Sequence, residues 1–193
     1  MEKLAVRRIQ ADEFEEMARI FKSELKGTGR ILSNKYLLEK FKKFPEFFIG
    51  VFLNGKMIGA VCGSLRKILR RNFLVINELA VKSKFHGKGF GKKLVKAFEA
   101  AAESKYCEIR VGSVDKVVGF YSSLGYKPFL LIQYKKGAYS IGDFKDLKII
   151  ESYEYKEYKT FEVKQDKPDM KLLEKLRKRY PKAYFQYIFT KKL

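Results

Sequence analysis

The pair Asn54-Gly55 sits between two apolar runs in "FFIGVFLNGKMIGAVCGSL" (47–65). A two-residue hairpin turn requires positive φ at both central positions, and Asn followed by Gly adopts that most easily. The two runs therefore pair as antiparallel strands. A third apolar run, "FLVINELAV" (73–81), follows, with the polar stretch Arg66–Asn72 read as the turn between. Three successive antiparallel strands rule out a domain opening on parallel strand–helix–strand units.

Around these strands the chain alternates helices and strands. "LAVRRIQ" (4–10) alternates like an edge strand. Asp12 stands where an N-cap belongs, with Glu15 at capping-box spacing, and Phe14, Met17, Ala18, Phe21 and Leu25 recur at helical spacing. Gly27 and Gly29 are expected to end that helix. Ser33 or Asn34 opens a second one, stopped by Pro45. Phe90, Leu94, Val95, Phe98, Ala101 and Ala102 mark a third helix, and "CEIRVGS" (107–113) another strand. "DKVVGFYSSLGY" (115–126) reads as a short helix capped by Asp115 and closed by Gly125, leading into the strand "KPFLLIQYKK" (127–136). Beyond it lie one or two half-exposed strands in 147–165, an amphipathic helix between Pro168 and Pro181, and a last strand from Ala183. The expected class is α+β: a mixed, mostly antiparallel sheet flanked by helices.

Between the third strand and the third helix lies "KSKFHGKGFGKK" (82–93), with Gly87, Gly89 and Gly91 among lysines and the only histidine, His86. Glycines let backbone N–H groups approach a ligand closely. The first turn of the following helix adds unpaired donors and a dipole that favours an anion. Lys88, Lys92 and Lys93 put positive charge on the same rim. The unit suits a pyrophosphate. A P-loop requires Ser or Thr where Lys93 stands, and a dinucleotide fingerprint requires its third glycine one residue later within a parallel unit. Neither pattern fits.

A third pattern does. "HGKGFGKKL" (86–94) after "ELAV" (78–81) resembles the coenzyme-binding motif of the GNAT superfamily of N-acetyltransferases: Arg or Gln, two residues, Gly, one residue, then Gly or Ala. Gly89 and Gly91 match its glycines; His86 stands where Arg or Gln is usual. "GFYSSLGYKPF" (119–129) resembles a second segment of that superfamily, and the order of elements through residue 135 matches its fold. The resemblance implies acetyl-CoA held in a wedge between two splayed strands. The backbone of Leu79, Ala80 and Val81 would pair with the pantetheine arm. The loop from His86 and Gly87 through Lys88, Gly89, Phe90, Gly91 and Lys92 would hold the pyrophosphate. His86 either hydrogen-bonds near a phosphate or merely occupies the turn.

Tyr121 matches the family tyrosine whose O–H stabilises or protonates the departing thiolate. The alternative is a plain core aromatic. A base must take a proton from the ammonium acceptor. Glu78, an acid in an apolar strand where burial would raise its pKa, is the candidate, with Glu108 or a water chain as alternatives. Simple strand alternation puts Glu78 and Asn77 on opposite faces, and a bulge, common in this strand of the family, would alter that. A family asparagine that contacts the cofactor falls at Val114, beside Asp115, which puts that contact in doubt.

The net charge is +20, from 42 Lys and Arg against 22 Asp and Glu. It reflects either a lysine-rich solvated surface or a face for an anionic macromolecule. It argues against polycationic acceptors and is compatible with weak association with nucleic acid. The function implied is acetyl transfer from acetyl-CoA to a primary amine on a small molecule or protein, by direct attack in a ternary complex. The alternative is a non-catalytic CoA-sensing or RNA-binding module on the same fold. For the latter, the tail aromatics Tyr153, Tyr155, Tyr158, Phe161, Tyr180, Tyr184, Phe185 and Tyr187 could stack bases. Cys62 and Cys107 are read as buried reduced thiols, and a metal is not expected. No signal peptide or membrane-length apolar run is read, so a cytoplasmic protein is expected. The expected organisation is an acetyltransferase core over 1–135 and a strand-rich extension over 136–193, packed on the core or in a homodimer contact.

Overall fold

A computed structural model describes residues 3–26, 33–68, 71–103 and 108–193. Gly27, Gly29 and Cys107 lie outside the described residues. Two compact units divide the chain: Met1–Ile109 with Lys192–Leu193, and Arg110–Lys191. Among the described residues no helix is long and apolar enough to cross a membrane.

The first unit is an antiparallel meander of β1 (Leu4–Arg8), β2 (Phe48–Leu53), β3 (Lys56–Ile68) and β4 (Arg71–Val81) in that order. The hairpin turn forms as the dipeptide demands, with Asn54 at φ 50° and Gly55 at φ 78°. Of the polar stretch 66–72, residues 69 and 70 lie outside the described residues, and the described ones are strand. β3 and β4 stay paired through Arg66↔Phe73, Lys67↔Asn72 and Ile68↔Arg71. Arg66, Lys67, Arg71 and Asn72 are exposed, so polarity there marks a hairpin end in solvent, not a break in the ladder.

Helix α1 (Phe14–Glu24) starts differently from its sequence reading. The capping box is formed by Gln10 and Glu13, with a short helical turn at Ala11–Glu13 preceding the α-helix. Arg7 donates to both Glu13 carboxylate oxygens, at 2.8 and 2.6 Å, and so draws the box toward β1. Helix α2 (Asn34–Lys43) is capped by Ser33, whose Oγ accepts from the Tyr36 amide at 3.1 Å. Met17, Phe21 and Leu37 are fully buried against Phe48, Met57, Ala60 and Cys62 of the sheet. Helix α3 (Phe90–Ala102) covers the other face. A Cβ on Gly63 would fall 2.3 Å from the Phe98 ring, so Phe98 lies flat on the strand where only glycine leaves room.

The second unit arranges its strands in the order β5 (Glu108–Gly112), β9 (Ala183–Lys192), β6 (Lys127–Lys135), β8 (Tyr158–Lys164) and β7 (Ile149–Tyr155). Helix α4 (Val118–Ser122) precedes β6, and α5 (Met170–Arg179), capped by Asp169, carries the chain from β8 back to β9. Asp115 does not cap α4; its carboxylate accepts from Arg177 Nη1 at 2.6 Å.

Strand alternation sorts the tail aromatics. Phe161, Phe185 and Tyr187 point to the face packed by Phe144, and like Tyr180 they are buried. Tyr155 and Tyr184 are 68% and 54% exposed. On the β7–β8 hairpin that carries Tyr153, Tyr155 and Tyr158, Glu151, Glu154, Glu157 and Glu162 outnumber Lys156, Lys159 and Lys164. Half of the proposed stacking aromatics are thus core, and the strands bearing most of the rest carry no excess of cations.

Candidate functional site

The first unit carries most of the predicted residues on the carboxyl half of β4 and the loop after it. β3 and β4 change register between Cys62 and Gly63: Cys62 pairs with Glu78, and Gly63 pairs with Ile76. Asn77 is therefore the extra residue of a β-bulge. Ser64 Oγ donates to Asn77 Oδ1 at 2.7 Å. Ser64 and Cys62 share a face by alternation, and Glu78 lies opposite Cys62, so the bulge brings Asn77 and Glu78 to one face. That is the face covered by α1, because Cys62 belongs to its core cluster. Simple alternation, which sets the two residues on opposite faces, fails at this point. Glu78 is 7% exposed. The alternative acid, Glu108, lies 3.2 Å from Arg71 Nη2 in an ion pair.

Beyond the bulge the strand is regular. Leu79, Ala80 and Val81 pair with Val61, Ala60 and Gly59. Lys82 then anchors the exit: its amide donates to the Ile58 carbonyl at 2.8 Å, and its Nζ donates to the Met57 carbonyl at 2.6 Å. One tight turn follows, in which the Phe85 amide donates to the Lys82 carbonyl and the His86 amide to that of Ser83. Phe85 meets Phe90 edge to face at 6.1 Å, closing the loop with an apolar contact. The His86 ring turns back, its Nε2 2.7 Å from the Val81 carbonyl oxygen.

Gly87 and Gly89 have φ values of +74° and +78°, the left-handed region where glycine carries no Cβ penalty. Gly89 is the N-cap of α3 and offers no side chain to its amides, and the first turn of α3 contains no acidic residue. The first helical bond runs from the Lys93 amide to the Gly89 carbonyl, so the amides of Phe90, Gly91 and Lys92 have no acceptor within the helix. Exposed Lys84, Lys88, Lys92 and Lys93 surround them. Open donors, a helix dipole and cations with no competing carboxylate fit a phosphorylated ligand.

In the second unit Tyr121 occupies α4 and is 5% exposed. Its ring lies 5.0 Å from Phe120, 5.9 Å from Tyr126 and 5.7 Å from Phe189, so three aromatic neighbours fix its orientation. Gly125, at φ +83°, closes the turn after α4, and the Tyr126 amide donates to the Tyr121 carbonyl at 3.2 Å. Val114 is 43% exposed.

The family model described as acetyltransferase (GNAT) family matches residues 8–126, which include β4, the glycine loop and Tyr121. The chain belongs to this family. The GNAT fold recurs in solved structures of low sequence identity. Ard1 from Thermoplasma volcanium is 19% identical with a TM-score of 0.56, the match covering 86% of this chain and 99% of that one. Arabidopsis thaliana Naa50, solved in complex with the bisubstrate analogue CoA-Ac-MVNAL, is 14% identical with a TM-score of 0.58, covering 98% and 99%. A putative acetyltransferase from Pyrococcus horikoshii is 18% identical with a TM-score of 0.54, covering 78% of this chain but only 50% of that one. Comparison with the curated protein sequences finds no match.

Within this GNAT chain, sequence reasoning named the glycine loop, Glu78 and Tyr121. It did not name Ser64 as the residue that holds the bulge, nor Lys82 as the anchor of the strand exit. No local signal marks either residue; both roles follow from the β3–β4 register.

Proposed function

We propose that the chain is an acetyl-CoA-dependent N-acetyltransferase that moves an acetyl group to a primary amine by direct attack in a ternary complex. The observation that carries this reading is the opening of α3. Two left-handed glycines deliver the chain into a helix whose first amides are capped by no side chain and faced by no carboxylate of that turn. The amides from Gly87 to Lys92 would hold the pyrophosphate, and the backbone from Leu79 to Val81 would align the pantetheine arm. When bound, the coenzyme supplies an activated acetyl thioester.

The remaining work falls to this chain's side chains. Glu78, turned with Asn77 toward the α1 face, takes a proton from the acceptor ammonium and leaves the amine lone pair free to attack. Tyr121, held by its aromatic neighbours, presents its O–H to the sulfur as negative charge gathers there. The acceptor is a primary amine on a small molecule or a protein, and the +20 charge disfavours polycationic acceptors.

Calorimetric titration with acetyl-CoA, followed by turnover on a panel of amines with wild type and Tyr121→Phe, tests the reading. Micromolar binding is expected, with turnover about a hundredfold lower in the variant. Absence of coenzyme binding would remove the basis of the proposal. Binding without any Tyr121-dependent turnover would favour a sensor of CoA over an enzyme.

A further inference from the structure

His86 departs from its family's pattern, and its geometry gives the departure a meaning. Antiparallel pairing alternates the direction of backbone polar groups along a strand. The Lys82 amide bonds to Ile58 on β3, so the Lys82 N–H points toward β3, and Val81, one residue earlier, turns its N–H and C=O away. That outward edge is the one available to a ligand pairing with β4. Yet the Val81 carbonyl is not left to a ligand, because His86 Nε2 lies 2.7 Å from its oxygen. A carbonyl oxygen can only accept, so Nε2 carries the proton and Nδ1 is left as the acceptor in the neutral ring.

We infer that His86 is a positioning residue and not a phosphate ligand. Its Nε2–H clips the last carbonyl of β4 and fixes the point at which the strand edge ends and the glycine loop begins. The inference rests on the coenzyme reading of this site. It assigns the Val81 N–H, but not its carbonyl, to the pantetheine arm. The charge facing the phosphates then comes from Lys88, Lys92 and the loop amides, with no contribution from the imidazole. The histidine ring is turned back toward β4. The ring itself is exposed, so replacing it removes the clip without opening a cavity.

The chain has one histidine, so its imidazole nitrogens are assigned without ambiguity in a long-range nitrogen–proton correlation spectrum. The free protein should show the Nε2–H tautomer, and saturating CoA should leave the ring in that tautomer. His86→Gln, whose side-chain amide keeps a donor, should bind CoA within about twofold of wild type, and His86→Phe about fivefold more weakly, the worth of one neutral hydrogen bond. The slope of affinity against salt should be the same in all three proteins, because no charge is removed from the phosphate site. A free protein with the proton on Nδ1, or a His86→Phe protein as tight as wild type, would overturn the clip, and an imidazole that becomes doubly protonated on adding CoA would overturn the claim that His86 is no phosphate ligand. A wild type that binds no CoA while keeping the Nε2–H tautomer would instead overturn the coenzyme reading, leaving the clip as a feature of the loop alone.

Discussion

Ser64 Oγ donates to Asn77 Oδ1 at 2.7 Å and so holds the extra residue of the β4 bulge on the face that Glu78 shares. Without that bond the bulge could relax, and Glu78 would lose its direction while the glycine loop stayed intact. Ser64→Ala should therefore lower kcat about tenfold with CoA affinity unchanged, at a stability cost of about 1 kcal/mol. Single-turnover rates set beside calorimetric CoA affinities check it. An equal loss in both would place the effect elsewhere.

Gly89 and Gly119 make a contrasting pair. Neither would bring a new Cβ within 4 Å of another group, yet only Gly89 has positive φ. Gly89→Ala should destabilise by about 1 kcal/mol and weaken CoA binding, because Ala strains the left-handed cap of α3. Gly119→Ala, within α4, should stabilise by roughly 0.5 kcal/mol. Denaturant midpoints of the two variants provide the comparison.

In the second unit Arg110 Nη1 donates to Glu162 Oε1 at 2.6 Å, with side chains only 9% and 4% exposed, and the guanidinium lies 5.1 Å from the centre of the Phe129 ring. Removing one partner leaves the other charge buried. Glu162→Leu should cost about 3 kcal/mol, and the double change Arg110→Met with Glu162→Leu should recover most of that loss. Urea unfolding of the single and double variants decides it.

The Glu13 carboxyl is held below the usual carboxylate range, first by the hydrogen bonds from Arg7 and further by the Gln10 amide. A depressed folded-state pKa means that the unfolded chain binds the proton more readily. The contribution is thus complete above the ordinary glutamate range and is lost as pH falls through the lower folded value. Glu13→Gln should destabilise by about 1 kcal/mol at neutral pH, and the difference from wild type should shrink as the solution is acidified toward pH ~3. Thermal midpoints across that range test it.

Features read correctly from sequence are those whose cause is local. The Asn54-Gly55 turn, the Ser33 cap and the glycines before α3 are each dictated by the dihedral angles or hydrogen bonds of a few adjacent residues. The misreadings have non-local causes. Asp12 lost the cap to Gln10 because Arg7, on the neighbouring strand, holds Glu13 in the box. Asp115 was drawn away by Arg177, which is 62 residues distant in sequence. The facing of Glu78 hinges on one shifted register pair, which no periodicity within β4 announces. The tail aromatics alternate alike on both faces, and only the placement of Phe144 and Tyr180 decides which face is inside.

The terminal strands β1 and β7 bear on crowding. A bare strand edge is a template on which another chain can build. β1 ends its sheet with Arg7 and Arg8, the Arg7 guanidinium lying 3.9 Å from the centre of the Phe52 ring. β7, last in the strand order, carries Glu151 and Glu154 and a register shift between Ile149 and Glu151. One margin is cationic and the other is acidic and bent. Like margins of two copies therefore repel before their backbones can pair, which disfavours β1-to-β1 and β7-to-β7 joining of a tyrosine- and phenylalanine-rich chain at high concentration.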